Sequence, residues 1–498
     1  MELRPKILLS TEGTYPHYHG GVSVWCDQLI RSLYDFDFHL MPVIHSPGQK
    51  LSFALPPNVV SMNPEALWST EEPAWRNEPV SKLFEKRLRT TSGDARFLPA
   101  FRTAVRHLLA GAESSPEELA AALVWLRGHF RDADYVSAIA SRAAWDTFLD
   151  ECRLSGRPMR LEEATQSLRW IARFLSVITA PIPRGDLFHA SMAGLAAVPG
   201  VLAKLETGMP FLLTEHGVYL REIYLSLSRS ESSEGCRRFL NDFYQAIVRM
   251  NYHFADAVTT LGRFNTIWQV RFGAPPDRVI FTPNGVDPRK FHPGEVLPQR
   301  PTILTLARIY PLKGIDILLK AAVRVRTRVP DVRVRVLGEV ADQEYFERCR
   351  RIVSEHHMED VVEFSETDNP AEAYRAAHVY CLPSISEAMP YVVIEAMLSG
   401  CPVVATDVGN VSEMLAGTGL LARPADPDDL AEQLIQMLDG VQGERLRNRM
   451  KADARERALS IYTIDSATGR FRDLYCDMAG VHTTFGEERQ WNPESLTV

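Results

Sequence analysis

The sequence predicts an α/β protein built from two successive parallel β/α domains, and three observations carry that prediction. The chain has 498 residues, too many for one core, so two large domains are the natural division. It opens β-α-β, the unit from which parallel sheets are made. After a proline-rich stretch, "EVLPQRP" at 295–301, a second series of short apolar runs alternates with helical patterns.

The elements follow in order. "KILLS", residues 6–10, is an apolar run ending in turn residues, as a buried parallel strand requires. Val22, Trp25, Cys26, Leu29 and Leu33 recur at helical spacing and predict a helix over 22–34, followed by a strand in "DFHLMPVI". From about 60 to 185 the strand pattern gives way to helical ones, read as a helical insertion. Within it Ser115, Pro116 and Glu118 form a helix start with a capping box. The sheet pattern resumes in "DLFHASMAG", "PFLLTEHG", "ADAVTTL" and "RVIFTPNGVD". The second series reads "TILTLAR", "DVRVRVLG", "VVEFSE", "HVYCLPS", "CPVVATD" and "GLLARP". "TIDSATGRFRDLYCDMAG" predicts a helix that crosses back onto the first domain, and the last residues read as a loose tail. The expected division is 1–287 for the first domain, 296–460 for the second and 461–498 for the crossover helix and tail.

Apolar residues make up 45% and charged residues 24%, with a formal charge of −8. That balance argues against nucleic acid as the main partner. A small phosphorylated ligand needs only a local basic pair. Seven cysteines are scattered singly, which reads as reduced thiols in a cytoplasmic protein. The N-terminus turns polar too soon for a signal peptide, and no stretch approaches the roughly 20 apolar residues that span a bilayer. Any membrane association is expected through partners or a surface patch.

Gly20 and Gly21 stand before the first helix. Glycines at a helix N-terminus let an anion approach the unpaired N–H groups; the alternative is a tight turn that needs positive φ. Neither a G-x-G-x-x-G nor a Walker A pattern is present. In "LARIYPLKGIDILLKA", Arg308 follows a strand and Lys313 comes five residues later, placing two cations at the carboxyl edge of a parallel sheet. In "SISEAMPYVVIEAMLSGCPVVATDVGN", Glu387 lies in a loop and Glu395 in the helix that follows. One acid then reaches a ligand from the loop and the other from the helix, while Tyr391 and Val392, after Pro390, offer backbone N–H groups to an anion. Taken singly, each of these features also fits ordinary surface charge. The D-x-D triplets at 35–37 and 426–428 fall in a turn and at a helix cap, and the His17–His19 pair is too small a ligand set for zinc, so no metal site is expected.

Together "GGVSVW", "TEHG", "PNGVD", "LARIYPLKG" and "SEAMPYVVIEAMLSGCPVVATDVGN" resemble a retaining glycosyltransferase of glycosyltransferase family 4, with its E-x7-E spacing at Glu387 and Glu395. The N-terminal half is similar to the PelF-type branch associated with Pel exopolysaccharide synthesis. The resemblance implies a GT-B fold, two Rossmann-like domains facing a cleft. It implies hexosyl transfer from a nucleotide-diphosphate sugar, most commonly a UDP-sugar such as UDP-glucose, to a glycan or exopolysaccharide acceptor. Arg308 and Lys313 would hold the donor diphosphate, Glu395 the ribose hydroxyls and Glu387 the donor sugar. Gly20 and Gly21 would bring backbone N–H groups to the phosphate or sugar. His216 would lie near the anomeric carbon, and Met389, Pro390, Tyr391 and Val392 would complete the substrate-binding set. Asn284 to Asp287 would mark the hinge. No metal or other cofactor is implied, and membrane-bound synthase or export subunits are the implied partners. Ala388 replaces the glycine that many relatives carry after the loop acid, which bears on the donor sugar. The alternative expectation is a non-catalytic nucleotide-sugar-binding subunit of a synthase assembly; no lysine motif for a phosphorylase cofactor is visible.

Overall fold

The computed structural model describes residues 4–67, 81, 85–87, 96–294 and 298–480. Part of the interdomain stretch, 295–297, and the tail 481–498 lie outside them, as do segments of the expected insertion between 68 and 95.

Two wholly parallel sheets form. The first runs β3 (Val59–Met62), β2 (Asp37–Ile44), β1 (Lys6–Glu12), β5 (Leu187–Ala190), β6 (Phe211–Thr214), β7 (Ala257–Thr260), β8 (Val279–Phe281), with the short β4 (Glu65–Ala66) also on β2. The second runs β11 (Val362–Ser365), β10 (Arg333–Leu337), β9 (Thr302–Leu306), β12 (Val379–Leu382), β13 (Val403–Thr406), β14 (Leu420–Ala422). Strand order reverses between β1 and β5 in one sheet and between β9 and β12 in the other. Crevices at the carboxyl ends of the strands at such points are where parallel α/β sheets bind ligands. The strands β5, β6, β7, β9, β12 and β13 are buried along their whole length, which explains their unbroken apolar runs.

Two expectations need correction. The region read as helical from about 60 contains β3 and β4 at its start, so sheet structure extends to residue 66. Strands of four and two residues are too short to show a period of their own. The helices Phe97–Ala110, Pro116–Asp132, Arg142–Leu154 and Leu161–Thr179 then pack into one large apolar cluster with the first sheet. The capping box at Ser115 is only half formed. Ser115 Oγ accepts from Glu118 N at 3.2 Å, but Glu118 Oε2 turns to His107 Nε2 at 3.0 Å. The Ser115 N–H donates instead to His107 Nδ1. His107 thus takes the place the box assigns to glutamate.

The chain crosses between the domains twice, side by side. Val286 pairs with Thr463; Val286 N donates to Tyr462 O at 2.9 Å and Ile464 N to Val286 O at 3.0 Å. Gly285 permits this approach, since a Cβ there would lie 2.5 Å from Thr463 O. The helix Ile464–Ala479 then returns to the first domain, where Phe471 and Tyr475 join Trp25, Phe36 and Phe38 in a buried cluster. Arg472 clamps Asp35 with contacts of 2.9 and 3.1 Å, so the first acid of one D-x-D triplet is engaged in an ion pair. Asp426, in the other triplet, caps the Pro427–Leu438 helix. Among the described residues no helix is long and apolar enough to cross a membrane.

Candidate active site

The second sheet builds one wall. The loop after β9 carries Arg308 and ends in a short turn, Pro311–Lys313; the loop after β12 carries Ser384 to Pro390. Lys313 Nζ donates to Glu387 Oε1 at 2.6 Å, and Ser384 Oγ donates to the same oxygen at 2.8 Å. The two charged side chains are 21% and 11% exposed, so water screens the pair only in part. Arg308 stands apart from them, exposed, with its guanidinium 5.9 Å from the Tyr310 ring centre. The loop after β13 braces the Glu387 loop from behind. Gly409 has φ +60°, and a Cβ there would fall 2.2 Å from Glu387 O; Asn410 N donates to Ala388 O at 2.9 Å.

Pro390 precedes the Tyr391–Leu398 helix, whose first N–H groups, those of Tyr391 and Val392, have no carbonyl partner within the helix. Glu395, one turn in, accepts from Tyr374 Oη at 2.9 Å, and the same hydroxyl donates to Val392 O at 3.0 Å. Burial pushes the Glu395 carboxyl above the usual range, while the Tyr374 bond and Lys290 pull it down. Met389 is buried; its Sδ accepts from Asn284 N at 3.4 Å and its carbonyl from Asn284 Nδ2 at 3.0 Å.

The first domain supplies the opposite wall. The Gly21–Ser32 helix begins nine residues after the end of β1; Gly20 is fully extended, with φ 175°, and neither Gly20 nor Gly21 lies in the left-handed region. The tight-turn alternative for these glycines is therefore overturned. A Cβ at either would meet nothing within 4 Å, so both stand at an open helix N-terminus. Trp25, one turn in, packs edge-on against His216 with ring centres 4.3 Å apart. Burial holds His216 down at about 3, with the Asn284 side chain beside it as the smaller, opposing influence. Its Nε2 is buried with no hydrogen-bond partner. Beside the site the walls meet where Asn284 bonds Met389, where Arg221 Nη2 donates to Ser386 Oγ at 3.4 Å, and where Tyr391 packs against the cluster containing Trp25 and Cys26. The structure thus joins Lys313 with Glu387, His216 with Trp25 and Asn284, and brings the 384–391 loop onto the first domain.

Sequence reasoning missed four supports. Glu215, next to His216, is fully buried and accepts from Tyr252 Oη (2.5 Å), Tyr219 N (2.9 Å) and Gln269 Nε2 (3.1 Å); burial raises its carboxyl to about 7. Glu12, at the end of β1, accepts from Tyr219 Oη and Ala196 N. Tyr374 lies beneath Glu395. Across the interface, Asn410 Oδ1 accepts from Phe264 N at 2.9 Å and Glu413 Oε2 from Arg263 N at 2.8 Å, capping the Arg263–Arg271 helix from the other domain. The available signals were the quoted "TEHG", where Glu215 stands beside His216, and the quoted run from Ser384 that ends in Asn410.

Known proteins agree with this architecture. Residues 5–277 match a family described as a domain of unknown function, DUF3492, and residues 288–457 match glycosyl transferases group 1. A D-inositol 3-phosphate glycosyltransferase of Arthrobacter sp. (strain FB24) is 31% identical over 311 residues, covering 57% of this chain and 71% of that protein. A protein of the same description from Pseudarthrobacter chlorophenolicus is 36% identical over 184 residues, 33% of this chain; the match spans only 41% of that relative's length. The solved structure of Anabaena HepE in complex with UDP superposes with a TM-score of 0.60 at 13% identity, covering 95% of this chain and 100% of that one. At that identity the likeness speaks for the fold, which is GT-B. The chain belongs to the glycosyl transferases group 1 family, with a DUF3492 domain as its N-terminal half.

Proposed function

We propose that this protein is a retaining hexosyltransferase of the family 4 type, moving a sugar from a UDP-sugar such as UDP-glucose to a glycan or exopolysaccharide acceptor, in a PelF-type role with membrane-bound partners. The observation that carries the reading is the Lys313–Glu387 pair at the strand-order reversal, in the loop that leads into the Tyr391–Leu398 helix, with the open helix start at Gly20 and Gly21 on the other domain. A sugar nucleotide already bears a good leaving group, so the protein must hold charge and position an acceptor.

In this reading Lys313 and Arg308 hold the diphosphate, where negative charge grows as the C1–O bond breaks. Such fixed donors are stronger in the transition state than in the ground state, which makes them catalytic. They take the part a divalent ion would otherwise play. The departing phosphate oxygen accepts the acceptor hydroxyl's proton, and that hydroxyl attacks on the same face, which retains configuration. Glu387 exchanges part of its bond to Lys313 for the donor sugar's hydroxyls. His216, neutral at physiological pH, offers its unpartnered Nε2 as a hydrogen-bonding group near the anomeric carbon, not as an acid. Glu395 takes the ribose hydroxyls. Each charge-assisted hydrogen bond contributes about 1.5–3 kcal/mol. Loss of both cations would then cost about 10²–10⁴ in rate or affinity.

The test is release of nucleoside diphosphate from UDP-, GDP- and ADP-sugars by wild type, Glu387→Ala and Lys313→Ala. Turnover of one donor that both substitutions abolish supports the reading. UDP binding without turnover of any donor across an acceptor panel assigns the chain instead to a nucleotide-sugar-binding subunit.

A further inference from the structure

The second domain carries a basic cavity of about 510 Å³ at the opposite edge of its sheet from Lys313 and Glu387. His378 and Pro402, which line it, immediately precede β12 and β13, whereas the candidate active site lies beyond the strands' carboxyl ends. Arg375, Arg447, Lys451 and Arg455 line it against one carboxylate, Glu444. None of those four cations forms an ion pair among the described residues. Arg447 and Arg455 each spend one N–H group on a helix C-terminal carbonyl, Met437 O and Leu398 O, and keep further donors. Ser399, 3% exposed, also lines the cavity, and its Oγ has no hydrogen-bond partner. Uncompensated cations around an unsatisfied buried hydroxyl fit an anion with several acceptor oxygens. The volume is in the range of sites for small organic ligands.

We propose that this cavity is a second ligand site, which takes a phosphorylated small molecule and is separate from the donor cleft. Its walls reach the active site by one direct route: Tyr374 lines the cavity and donates from Oη to Glu395. They also include Pro293 and Gly294, which follow the first interdomain crossing, and Arg455, on the Gly440–Ile461 helix that leads into the second. A bound anion therefore bears on Glu395 and on both crossings.

The test is calorimetric titration of the full chain with inorganic pyrophosphate and with glucose 6-phosphate, under saturating UDP. Wild type and an Arg308→Ala/Lys313→Ala variant are expected to bind one of the two alike. Lys451→Glu and Arg375→Glu are each expected to weaken that binding at least tenfold at an unchanged melting temperature. If Lys451→Glu fails to fold, Lys451→Ala and Arg375→Ala replace the reversals, with a severalfold loss expected. Vesicles containing phosphatidic acid form a further arm: binding there that Lys451→Glu abolishes supports the site and assigns its phosphate to a lipid headgroup. Binding that needs Arg308 and Lys313 but ignores Lys451 and Arg375 overturns the proposal. So does the absence of binding in every arm.

Discussion

At Glu387 a single oxygen accepts from both Lys313 and Ser384, so removing the lysine strips one half-buried carboxylate of its charge partner. Lys313→Ala should therefore reduce kcat/KM by about 10–150-fold, the equivalent of one charge-assisted bond. Because the two residues share that bond, a double-mutant cycle with Glu387→Gln should be clearly non-additive; additive losses would mean the pair does not act as a unit. Glu395 permits a pH prediction. Its carboxyl is raised by burial and drawn back by the Tyr374 bond, so its negative charge appears only as pH rises through that elevated value. If the carboxylate holds the ribose, UDP affinity falls as pH is lowered through it. Tyr374→Phe removes a donor to the charged form, so the fall should begin at a higher pH. Calorimetry with UDP between pH 5 and 8 measures it, and identical profiles would sink the role given to Glu395.

Among the elements, the Arg263–Arg271 helix has no side-chain cap from its own segment; Asn410 and Glu413 of the other domain provide one. A cap is worth about 0.5–2 kcal/mol, and here it also holds the cleft's walls together. Asn410→Ala/Glu413→Ala should widen the domain pairing, visible as a larger radius of gyration by small-angle scattering, with only a small loss of melting temperature. An unchanged radius would reduce the clasp to a local cap. This device was illegible in the sequence because its partners lie 146 and 150 residues apart and each looks like ordinary loop polarity. The strands β1, β2, β9 and β12 were legible because burial on both faces writes itself as an apolar run. Lys313 and Glu387 were legible because each lies in the loop that follows such a run. Tyr374 was not, since its hydroxyl acts from beneath a helix that starts seventeen residues later, and β3 and β4 were too short to announce themselves. Ser115 was correctly read as a cap, but nothing local shows that His107 would displace the glutamate from its box.

For the whole molecule, the crossover helix decides whether two domains behave as one. Tyr475 Oη lies 2.7 Å from His189 Nδ1, His189 Nε2 lies 2.7 Å from Thr214 Oγ1, and Thr259 Oγ1 donates to the same threonine. The C-terminal helix is thereby tied through β5 into β6 and β7. Tyr475→Phe leaves the buried His189 nitrogen unpaired, which costs about 1–3 kcal/mol. Combined with Arg472→Ala, it should split a single calorimetric unfolding transition into two; one transition in the double variant would mean the cleft contacts alone couple the domains. The same histidine sets an acid limit. Burial holds both His189 and His216 at about 3 against an ordinary value near 6.5. Above 6.5 neither state is charged; as pH falls from 6.5 toward 3, the unfolded chain takes protons that the folded chain refuses, and stability drops. Each histidine contributes a slope of up to about 1.4 kcal/mol per pH unit. Glu215 opposes them: raised to about 7, it favours the folded state below its unfolded value near 4.5 and loses that contribution as pH rises through 7. Two histidines outweigh one glutamate between pH 4.5 and 6.5, so the melting temperature should fall on acidification. Glu215→Gln should make that fall steeper by removing the opposing group, and thermal melts at half-unit pH steps would show whether it does.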